Sequence, residues 1–281
     1  MTYEALLKDA RTKLEAAGIT DATTDAWYML SAASGLANAN FIAKFPEEVP
    51  ADIADAFAAL LKRRIAHEPV QLILGETEFM GLRIKLNGTT LIPRPDTERL
   101  VECAMEYWHE RYEKGDKLSA LDLGTGSGCI AIALAYYGRF EKVDASDVSA
   151  EAINCARANA ALAKVDINFM CSDLFAGIEG TYDMIVSNPP YIKTGDIDGL
   201  MPEVKNYDPI TALDGGEDGL DYYRSIASEA AAHLNDNGAL FLEIGFDQGA
   251  DVKGLLESAG FKEIKIIQDY GGNDRVVSAR K

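Results

Sequence analysis

The feature that most constrains the fold is a regular alternation of short apolar runs and helical patterns that begins near residue 120. The apolar runs are 120–123, 142–147, 167–170, 182–187 and 239–244. Neighbouring parallel strands need a crossover between them, usually a helix, so the alternation predicts a mostly parallel sheet with helices on both faces. Two final runs, 261–267 and 275–279, flank a glycine-rich turn and predict a closing antiparallel pair. We therefore expect an α/β domain, which we place at 93–281.

The first 68 residues follow a helical period instead. Apolar residues recur three or four positions apart near the start of the chain, and two further helical segments are predicted at 23–34 and 51–67. Helices of this length are marginal alone, so we expect them to pack as a small bundle over 1–68. Two roles stay open for the bundle: a structural cap, or a surface that grips a macromolecular substrate.

A β-hairpin connector is predicted between the two parts, over 69–92. Leu82, Ile84 and Leu86 alternate with polar residues, which is typical of a strand with one buried face. Asn87-Gly88 follows directly and is a strong hairpin-turn signal. The connector is therefore expected to be ordered.

Composition limits the classes of partner. The chain of 281 residues has a formal net charge of −18, with 48% hydrophobic residues. Such a charge repels phosphate backbones at long range, which disfavours nucleic acid as a direct partner. The four cysteines and three histidines show no metal-ligand spacing, so we expect buried free thiols and no metal. Neither a signal-peptide core nor a membrane-spanning apolar run is present in the sequence, which predicts a cytoplasmic protein without membrane attachment.

A glycine loop follows the first strand of the α/β domain. It reads Gly124-Thr125-Gly126-Ser127-Gly128, and glycines let the backbone approach a ligand closely. A dinucleotide fingerprint would place its third glycine at 129, which is a cysteine here. The spacing therefore counts against NAD.

Two acids follow the next strands along the chain. Asp147 ends the second strand and can accept both hydroxyls of a ribose, and Asp173 follows the third and can accept from an exocyclic amine such as that of adenine. Ligands of open α/β sheets bind beyond the carboxyl ends of the strands, where both acids are expected. Either acid alone is more often a cap or a solvated residue. Taken in order, they predict an adenosine site.

The fourth strand ends in Asn188-Pro189-Pro190-Tyr191. Each proline fixes its own φ and holds the preceding residue extended. The Asn188 side-chain oxygen and the Pro189 carbonyl then form a rigid pair of acceptors near the Tyr191 ring, which suits a flat –NH₂ group. The alternative is a strand end stopped by two prolines and capped by a packed tyrosine. An adenosine without a pyrophosphate beside such a pair indicates S-adenosylmethionine.

Arg94 lies between Pro93 and Pro95, where the α/β domain begins. Because the two prolines restrict the backbone on both sides, the arginine is held in place. A held cation suggests contact with a ligand, which we take to be the substrate. An exposed loop arginine is the alternative.

Four segments together resemble one family. They are the 122–128 loop, the 187–191 segment, Ile92-Pro93-Arg94-Pro95-Asp96-Thr97-Glu98 and Leu213-Asp214-Gly215-Gly216-Glu217-Asp218-Gly219-Leu220-Asp221. This combination resembles the peptide chain release factor N5-glutamine methyltransferase family over essentially the whole chain. The first two segments occur in many methyltransferases, whereas the last two are much more specific to this family.

The resemblance implies a fold, a reaction and roles. The fold would be a Rossmann-like class I methyltransferase domain with a mostly parallel seven-stranded sheet and an antiparallel last strand. Residues 124–128 would bind the methionine end of S-adenosylmethionine and Asp147 its ribose, with S-adenosylhomocysteine as product. Asn188, Pro189, Pro190 and Tyr191 would hold the glutamine of the Gly-Gly-Gln loop of a release factor, with Asn188 also beside the cofactor. Leu174 stands where some members carry an aromatic residue against the adenine, so an apolar contact is expected there. We expect a monomer.

Three other functions stay open. The acceptor could be a glutamine of a ribosomal protein, with the same chemistry. It could be the amino group of adenine in nucleic acid, since those enzymes also use Asn-Pro-Pro-Tyr, although the charge of the chain disfavours this. The protein could also be a cofactor-binding module without catalysis that acts through its helical part.

Overall fold

The computed structural model describes residues 1–36 and 38–281. These form two compact units, one comprising Met1–Glu76 with Met201–Tyr207 and the other Thr77–Leu200 with Asp208–Lys281. We call them the helical unit and the sheet unit. The division into 1–68, 69–92 and 93–281 stays a prediction.

The helices and strands alternate along the sheet unit as the sequence predicts. The helices are α1 (Tyr3–Ala16), α2 (Ala22–Ser34), α3 (Asn38–Ala43), α4 (Ala51–Ile65), α5 (Val70–Leu74), α6 (Pro95–Tyr112), α7 (Cys129–Tyr137), α8 (Ala150–Ala163), α9 (Pro202–Lys205), α10 (Asp221–Glu229) and α11 (Gly249–Ser258). The strands are β1 (Glu76–Phe79), β2 (Leu82–Lys85), β3 (Ser119–Leu123), β4 (Lys142–Asp147), β5 (Asn168–Cys171), β6 (Tyr182–Ser187), β7 (Leu234–Glu243), β8 (Lys262–Gln268) and β9 (Asp274–Arg280). Short 3₁₀ turns lie at Thr194–Gly199, Ile210–Ala212 and Ala230–His233.

The main sheet has seven strands in the order β5-β4-β3-β6-β7-β9-β8. Strands β3 to β7 pair in parallel, and β9 runs antiparallel to both of its neighbours. The predicted mostly parallel seven-stranded sheet with an antiparallel last strand is confirmed. On one side of β3 the sheet continues with β4 and β5, and on the other side it continues with β6 and β7. At such a switch point, a crevice opens beyond the carboxyl ends of the strands. Leu121, Ile185 and Leu240, on the three central strands, have no exposed surface and belong to the core.

The predicted hairpin is present as the two-stranded sheet of β1 and β2, but its turn is at Met80-Gly81. Both residues have positive φ, 51° and 72°, as the tightest hairpin turns require. The prediction of the turn at Asn87-Gly88 was wrong. The side-chain oxygen of Asn87 instead accepts two hydrogen bonds from Thr89, one from the Thr89 backbone nitrogen at 3.1 Å and one from the Thr89 hydroxyl at 2.6 Å. These bonds stabilise a local bend after β2.

The helical unit packs around its own core, in which Met29, Leu30, Phe41 and Phe57 are fully buried. A buried ion pair lies beside this core: Arg64 Nε donates to Asp25 Oδ2 at 2.6 Å. Arg64 Nη1 also donates to Glu203 Oε1 at 3.1 Å, so the 201–207 segment joins the helical unit through a charged group. Burial raises the pKa of Asp25, although Arg64 acts to lower it.

The cysteines are reduced, and they differ in exposure. Cys103, Cys129 and Cys155 are buried as expected, whereas Cys171 is exposed at the end of the edge strand β5. The expectation of a buried thiol was wrong there, because an edge strand is covered on one side only. Within residues 1–36 and 38–281, none of the helices combines the length and apolar character that a membrane crossing needs.

Candidate functional site

A cavity of about 350 Å³ lies in the sheet unit, and its lining includes residues from the carboxyl ends of β3, β4 and β6. This volume is within the range typical of small-molecule sites. Most of the residues singled out from the sequence line it, namely Arg94, Gly124, Thr125, Gly126, Ser127, Asp147, Asp173, Leu174, Asn188, Pro189 and Pro190. Gly128 and Tyr191 lie outside this lining.

The glycine loop is held by two acids. Gly124 and Gly126 have positive φ, 77° and 55°, and the Gly126 amide donates to Asp147 Oδ2 at 2.8 Å. Beneath the loop, the fully buried Asp122 accepts from the Thr125 hydroxyl at 2.6 Å and from the amide of Ala131 in the first turn of α7 at 3.0 Å. Burial raises the pKa of Asp122 to about 7. These bonds hold the loop in place where it lines the cavity.

Gly128 serves packing. Its φ is 86°, and a Cβ there would lie 2.9 Å from the Ala156 Cβ and 3.1 Å from the Ile132 Cδ1. Both distances are shorter than ordinary contacts, so only glycine lets α7 and α8 approach at this point. The sequence could not separate this reason for a glycine from a ligand contact.

Asp147 occupies the end of β4 beside the loop. Besides the Gly126 amide, it accepts from the Ser149 amide through Oδ1 at 2.9 Å. A carboxylate offers about four acceptor positions, so capacity for further hydroxyl donors is left. Asp173 also lines the cavity and is exposed.

An apolar wall completes this part of the cavity. Val148 lines it with 66% of its surface exposed, and Leu174 lines it in the left-handed region, with φ of 44°. Tyr222, at the start of α10, is a third member that the sequence reading missed. Burial raises its pKa, and the charge of Asp173 adds to this, which places the phenol near that acid. An aromatic residue just inside a predicted helix was the only signal in the sequence, and it is shared by many core tyrosines.

Asn188 is oriented by its amide nitrogen. Nδ2 donates to the Thr97 hydroxyl at 3.2 Å, which leaves Oδ1 as an acceptor for other groups. The Ser187 hydroxyl donates to the Leu123 carbonyl at 2.6 Å and so ties the end of β6 to β3. The prolines that follow restrict the backbone towards extended conformations.

Glu243 and Thr97 lie next to Asn188 and were missed by the sequence reading. Glu243 ends β7 and is only 2% exposed. Burial raises the pKa of its carboxyl to about 7, while Thr97, as a hydrogen-bond donor, acts to lower it, and Arg275 and Asn188 do the same less strongly. In the sequence, Thr97 is only one member of the 92–98 segment, and Glu243 lies within the apolar run 239–244.

The 190–192 segment rests on the glycine-rich segment 213–220. Ile192 exchanges backbone hydrogen bonds with Leu213 and Gly215, at 3.0 and 2.8 Å. A Cβ at Gly215 would lie 2.8 Å from the Tyr191 Cα, and one at Gly219 only 2.5 Å from the Tyr191 carbonyl oxygen. The glycines of this narrow motif therefore make room for the backbone of the proline segment.

Tyr191 packs against the core of the sheet unit and is not among the residues that line the cavity. Burial raises its pKa to about 12. Its carbonyl accepts from Gln248 Nε2 at 3.0 Å. The tyrosine thus secures the segment that carries Asn188 and Pro189.

Arg94 is held by an acid that the sequence reading did not select. Its guanidinium binds Asp208 Oδ2, and Asp208 Oδ1 accepts from the Ile92 amide at 3.3 Å. The Asp208 side chain is fully buried, whereas that of Arg94 is 37% exposed. The guanidinium is therefore held in place by Asp208 and stays accessible at the cavity.

The chain is similar to known proteins both in sequence and in structure. Two family models match the chain: the PrmC N-terminal domain over residues 5–75 and the methyltransferase small domain over residues 105–201. Among solved structures, the ribosomal protein L11 methylase from Lactobacillus delbrueckii subsp. bulgaricus has a TM-score of 0.50 at 24% identity, covering 67% of this chain and 80% of that one. A methyltransferase from Pyrococcus furiosus has a TM-score of 0.53 at 21% identity, covering 78% and 97%. At these identities the likeness shows the fold alone.

Relatives of much higher identity extend over the whole chain. The release factor glutamine methyltransferase of Agrobacterium fabrum is 43% identical over 282 residues, which cover 100% of this chain and 98% of that protein. The release factor glutamine methyltransferase of Cereibacter sphaeroides is 41% identical, covering 98% and 96%. The resemblance seen in the sequence is confirmed, and the chain belongs to the release factor glutamine methyltransferase family.

Proposed function

We propose that this chain transfers a methyl group from S-adenosylmethionine to the side-chain amide nitrogen of the glutamine in the Gly-Gly-Gln loop of peptide chain release factors. One observation carries the proposal: the Asn188 amide is turned by Thr97 so that its oxygen is left as an acceptor at the cavity. The names of the full-length relatives support the same acceptor.

The cavity fits the methyl donor. Gly124 and Gly126 bring backbone close to it, Asp147 keeps acceptor capacity for ribose hydroxyls, and an apolar wall of Val148, Leu174 and Tyr222 suits a flat base. When bound, S-adenosylmethionine supplies a reactive methyl group on a positively charged sulfur, and S-adenosylhomocysteine is the product. Asp173 would accept from the amino group of the adenine, and Thr125 and Ser127 would complete the loop around the cofactor.

The protein contributes position and electrostatics. An amide nitrogen is a poor nucleophile, so it must be oriented along the line of attack. Asn188 Oδ1 and the Pro189 carbonyl accept its two N–H groups, and they stabilise the positive charge that develops on nitrogen. The proton then leaves to water, because the methylated amide is acidic in that state. No side-chain base is required.

The other predicted residues support this arrangement. Pro190 and Tyr191 support the two acceptors, because the Tyr191 carbonyl accepts a hydrogen bond from Gln248. Arg94, fixed on Asp208, offers a cation to the carbonyl groups of the substrate loop. The enzyme acts as a cytoplasmic monomer on a protein substrate, and its charge of −18 disfavours nucleic acid as a direct partner.

A purified release factor incubated with the enzyme and S-adenosylmethionine tests the proposal. Peptide mass spectrometry is expected to find one added methyl group on the glutamine of the Gly-Gly-Gln loop. A release factor with alanine in place of that glutamine serves as the control and is expected to stay unmodified. Methylation of a ribosomal protein or of adenine, with none on the release factor, would overturn the proposal.

Tyr222→Ala is expected to weaken cofactor binding about tenfold, because an aromatic contact contributes roughly 0.5–1.5 kcal/mol beyond its buried area. Titration calorimetry with S-adenosylmethionine measures this, and Tyr222→Phe is expected to bind like the wild type. Tyr270→Ala, at a position 87% exposed and outside the cavity lining, is the matched control. Unchanged affinity in Tyr222→Ala would remove Tyr222 from the cofactor site.

A further inference from the structure

Glu243 carries a buried carboxylate and is not among the residues that line the cavity. It lies at the carboxyl end of β7, and the neighbouring Leu242 pairs with Ser187, the residue before Asn188. Its Oε2 has no hydrogen-bond partner among the described residues. Because a buried charged group is costly unless it is well paired, its presence beside Asn188 calls for a reason.

Thr97 connects this carboxylate to Asn188. Thr97 lies in the first turn of α6 and is 3% exposed. Its hydroxyl carries one hydrogen and can both donate and accept. Since the amide nitrogen of Asn188 can only donate, the bond of 3.2 Å requires the Thr97 oxygen to be the acceptor. The hydrogen of Thr97 is then available for the Glu243 carboxylate. Burial raises the pKa of that carboxyl, and hydrogen bonding from Thr97 and, less strongly, from Asn188 itself acts to lower it.

The direction of this relay follows from the ionised carboxylate. An ionised carboxylate accepts only, so it draws the Thr97 hydrogen towards itself and leaves the Thr97 lone pairs for Asn188. The oxygen and nitrogen of an Asn side chain have nearly the same shape, and only such bonding decides which way the amide is turned.

We propose that Glu243 is a positioning residue for methyl transfer: acting through Thr97, and also directly on the Asn188 amide, it fixes that amide with Nδ2 anchored and Oδ1 left to accept from the substrate. The inference rests on the proposed function, because it needs a substrate –NH₂ group as the donor. In the reversed orientation, the Asn188 –NH₂ group would face the –NH₂ group of the substrate, and neither could accept.

Loss of the anchor therefore lowers the population of the productive orientation. Thr97→Val, which removes the hydroxyl at nearly constant volume, is expected to lower kcat about 10- to 100-fold, the range that corresponds to leaving a buried polar group unsatisfied. Glu243→Gln is expected to act in the same direction, because its amide can donate to Thr97 and reverse the relay. Cofactor affinity stays within about twofold in both variants. Thr97→Ser, which keeps the hydroxyl, is expected to recover most of the loss.

The relay also predicts a pH dependence. The relay requires Glu243 to be ionised, and burial raises the pKa of its carboxyl to about 7. The value of kcat is therefore expected to fall as the pH decreases through 7 and to reach its maximum above pH 7. Arg275 from β9 and the half-exposed Asp96 from α6 also act on this carboxyl. The nearby Tyr191 and Cys129 have pKa values raised to about 12, and that of Tyr223 is raised well above 10, so all three stay neutral across this range. Glu243→Gln is expected to lose the acid limb.

A measurement without turnover tests the same relay. The ¹⁵N resonance of the Asn188 side-chain amide, observed in selectively labelled protein, is expected to titrate near pH 7 in the wild type and to be flat in Glu243→Gln. Asp144→Asn is the matched control, because Asp144 is also a buried carboxylate with an unpartnered oxygen, away from this cavity. It is expected to change stability and to leave both the pH profile and the resonance unaffected.

The outcomes separate the inference from the proposed function. If wild-type enzyme methylates the release factor glutamine, yet folded Thr97→Val keeps its kcat and the Asn188 resonance does not titrate, the relay is wrong and the function stands. Should Glu243→Gln fail to fold, Thr97→Val against Thr97→Ser decides the matter. If the wild type leaves the release factor unmodified, the proposed function fails, and the resonance still reports whether Glu243 orients Asn188.

Discussion

Asn188→Ala is expected to lower kcat by about 10²–10³-fold while S-adenosylmethionine still binds, as for the loss of one preorganised hydrogen-bonding group. The substitution removes the side-chain acceptor for the substrate amide and leaves the Pro189 carbonyl alone to hold the nitrogen. The effect falls on kcat because the lost interaction strengthens as charge develops on nitrogen. Cofactor affinity is retained because the glycine loop and Asp147 keep their own contacts.

Steady-state kinetics on a release factor, together with cofactor calorimetry, measure the two effects separately. Asn168→Ala is the matched control, because Asn168 is exposed on β5 and lies outside the cavity lining. It is expected to behave as the wild type in both measurements. A variant Asn188→Ala that no longer binds the cofactor would reassign Asn188 to the cofactor site.

Gly219→Ala is expected to lower the free energy of unfolding by about 2–5 kcal/mol, combining a strained backbone with overpacking. Gly219 has φ of 77°, and its new Cβ would lie 2.5 Å from the Tyr191 carbonyl oxygen and 2.7 Å from Gln248 Nε2. The Gln248 side chain can shift only by giving up its bonds to the Tyr191 and Gly219 carbonyls. The segment that carries Asn188 and Pro189 then loses its support, so activity falls even where the protein stays folded.

Urea denaturation gives the stability, and kinetics at a temperature well below the transition give the activity. Gly254→Ala is the matched control: Gly254 lies inside α11, its φ is not positive, and a Cβ there meets no atom within 4 Å. It is expected to be stabilising by roughly 0.5–1 kcal/mol, as for glycine in a helix. Equal stability of Gly219→Ala and the wild type would mean that the 213–220 segment does not support Tyr191.

Local sequence was sufficient to predict those features whose physical cause lies within one short segment. The alternation of apolar runs and helical patterns leads to the mostly parallel sheet, because parallel strands require crossovers. The prolines after Asn188 restrict their own backbone, and Gly124 and Gly126 permit the positive φ of the loop. The hairpin turn shows where such reasoning fails. The Asn87 side chain bonds to Thr89, two residues further on, and the Asn-Gly turn signal does not reveal this bond.

The sequence by itself therefore determined the sheet, the glycine loop, the acid at the end of β4 and the proline-restricted segment that carries Asn188. Only the tertiary structure decided which distant side chains complete the site: Thr97 and Glu243 on Asn188, Asp208 on Arg94, and Tyr222 in the apolar wall. It also decided that Gly128 serves helix packing and that Tyr191 faces the core. The physical reason is range: propensity and backbone restriction act within a few residues, whereas burial and hydrogen bonding join residues far apart in the sequence, such as Asn188 and Thr97, which are 91 positions apart.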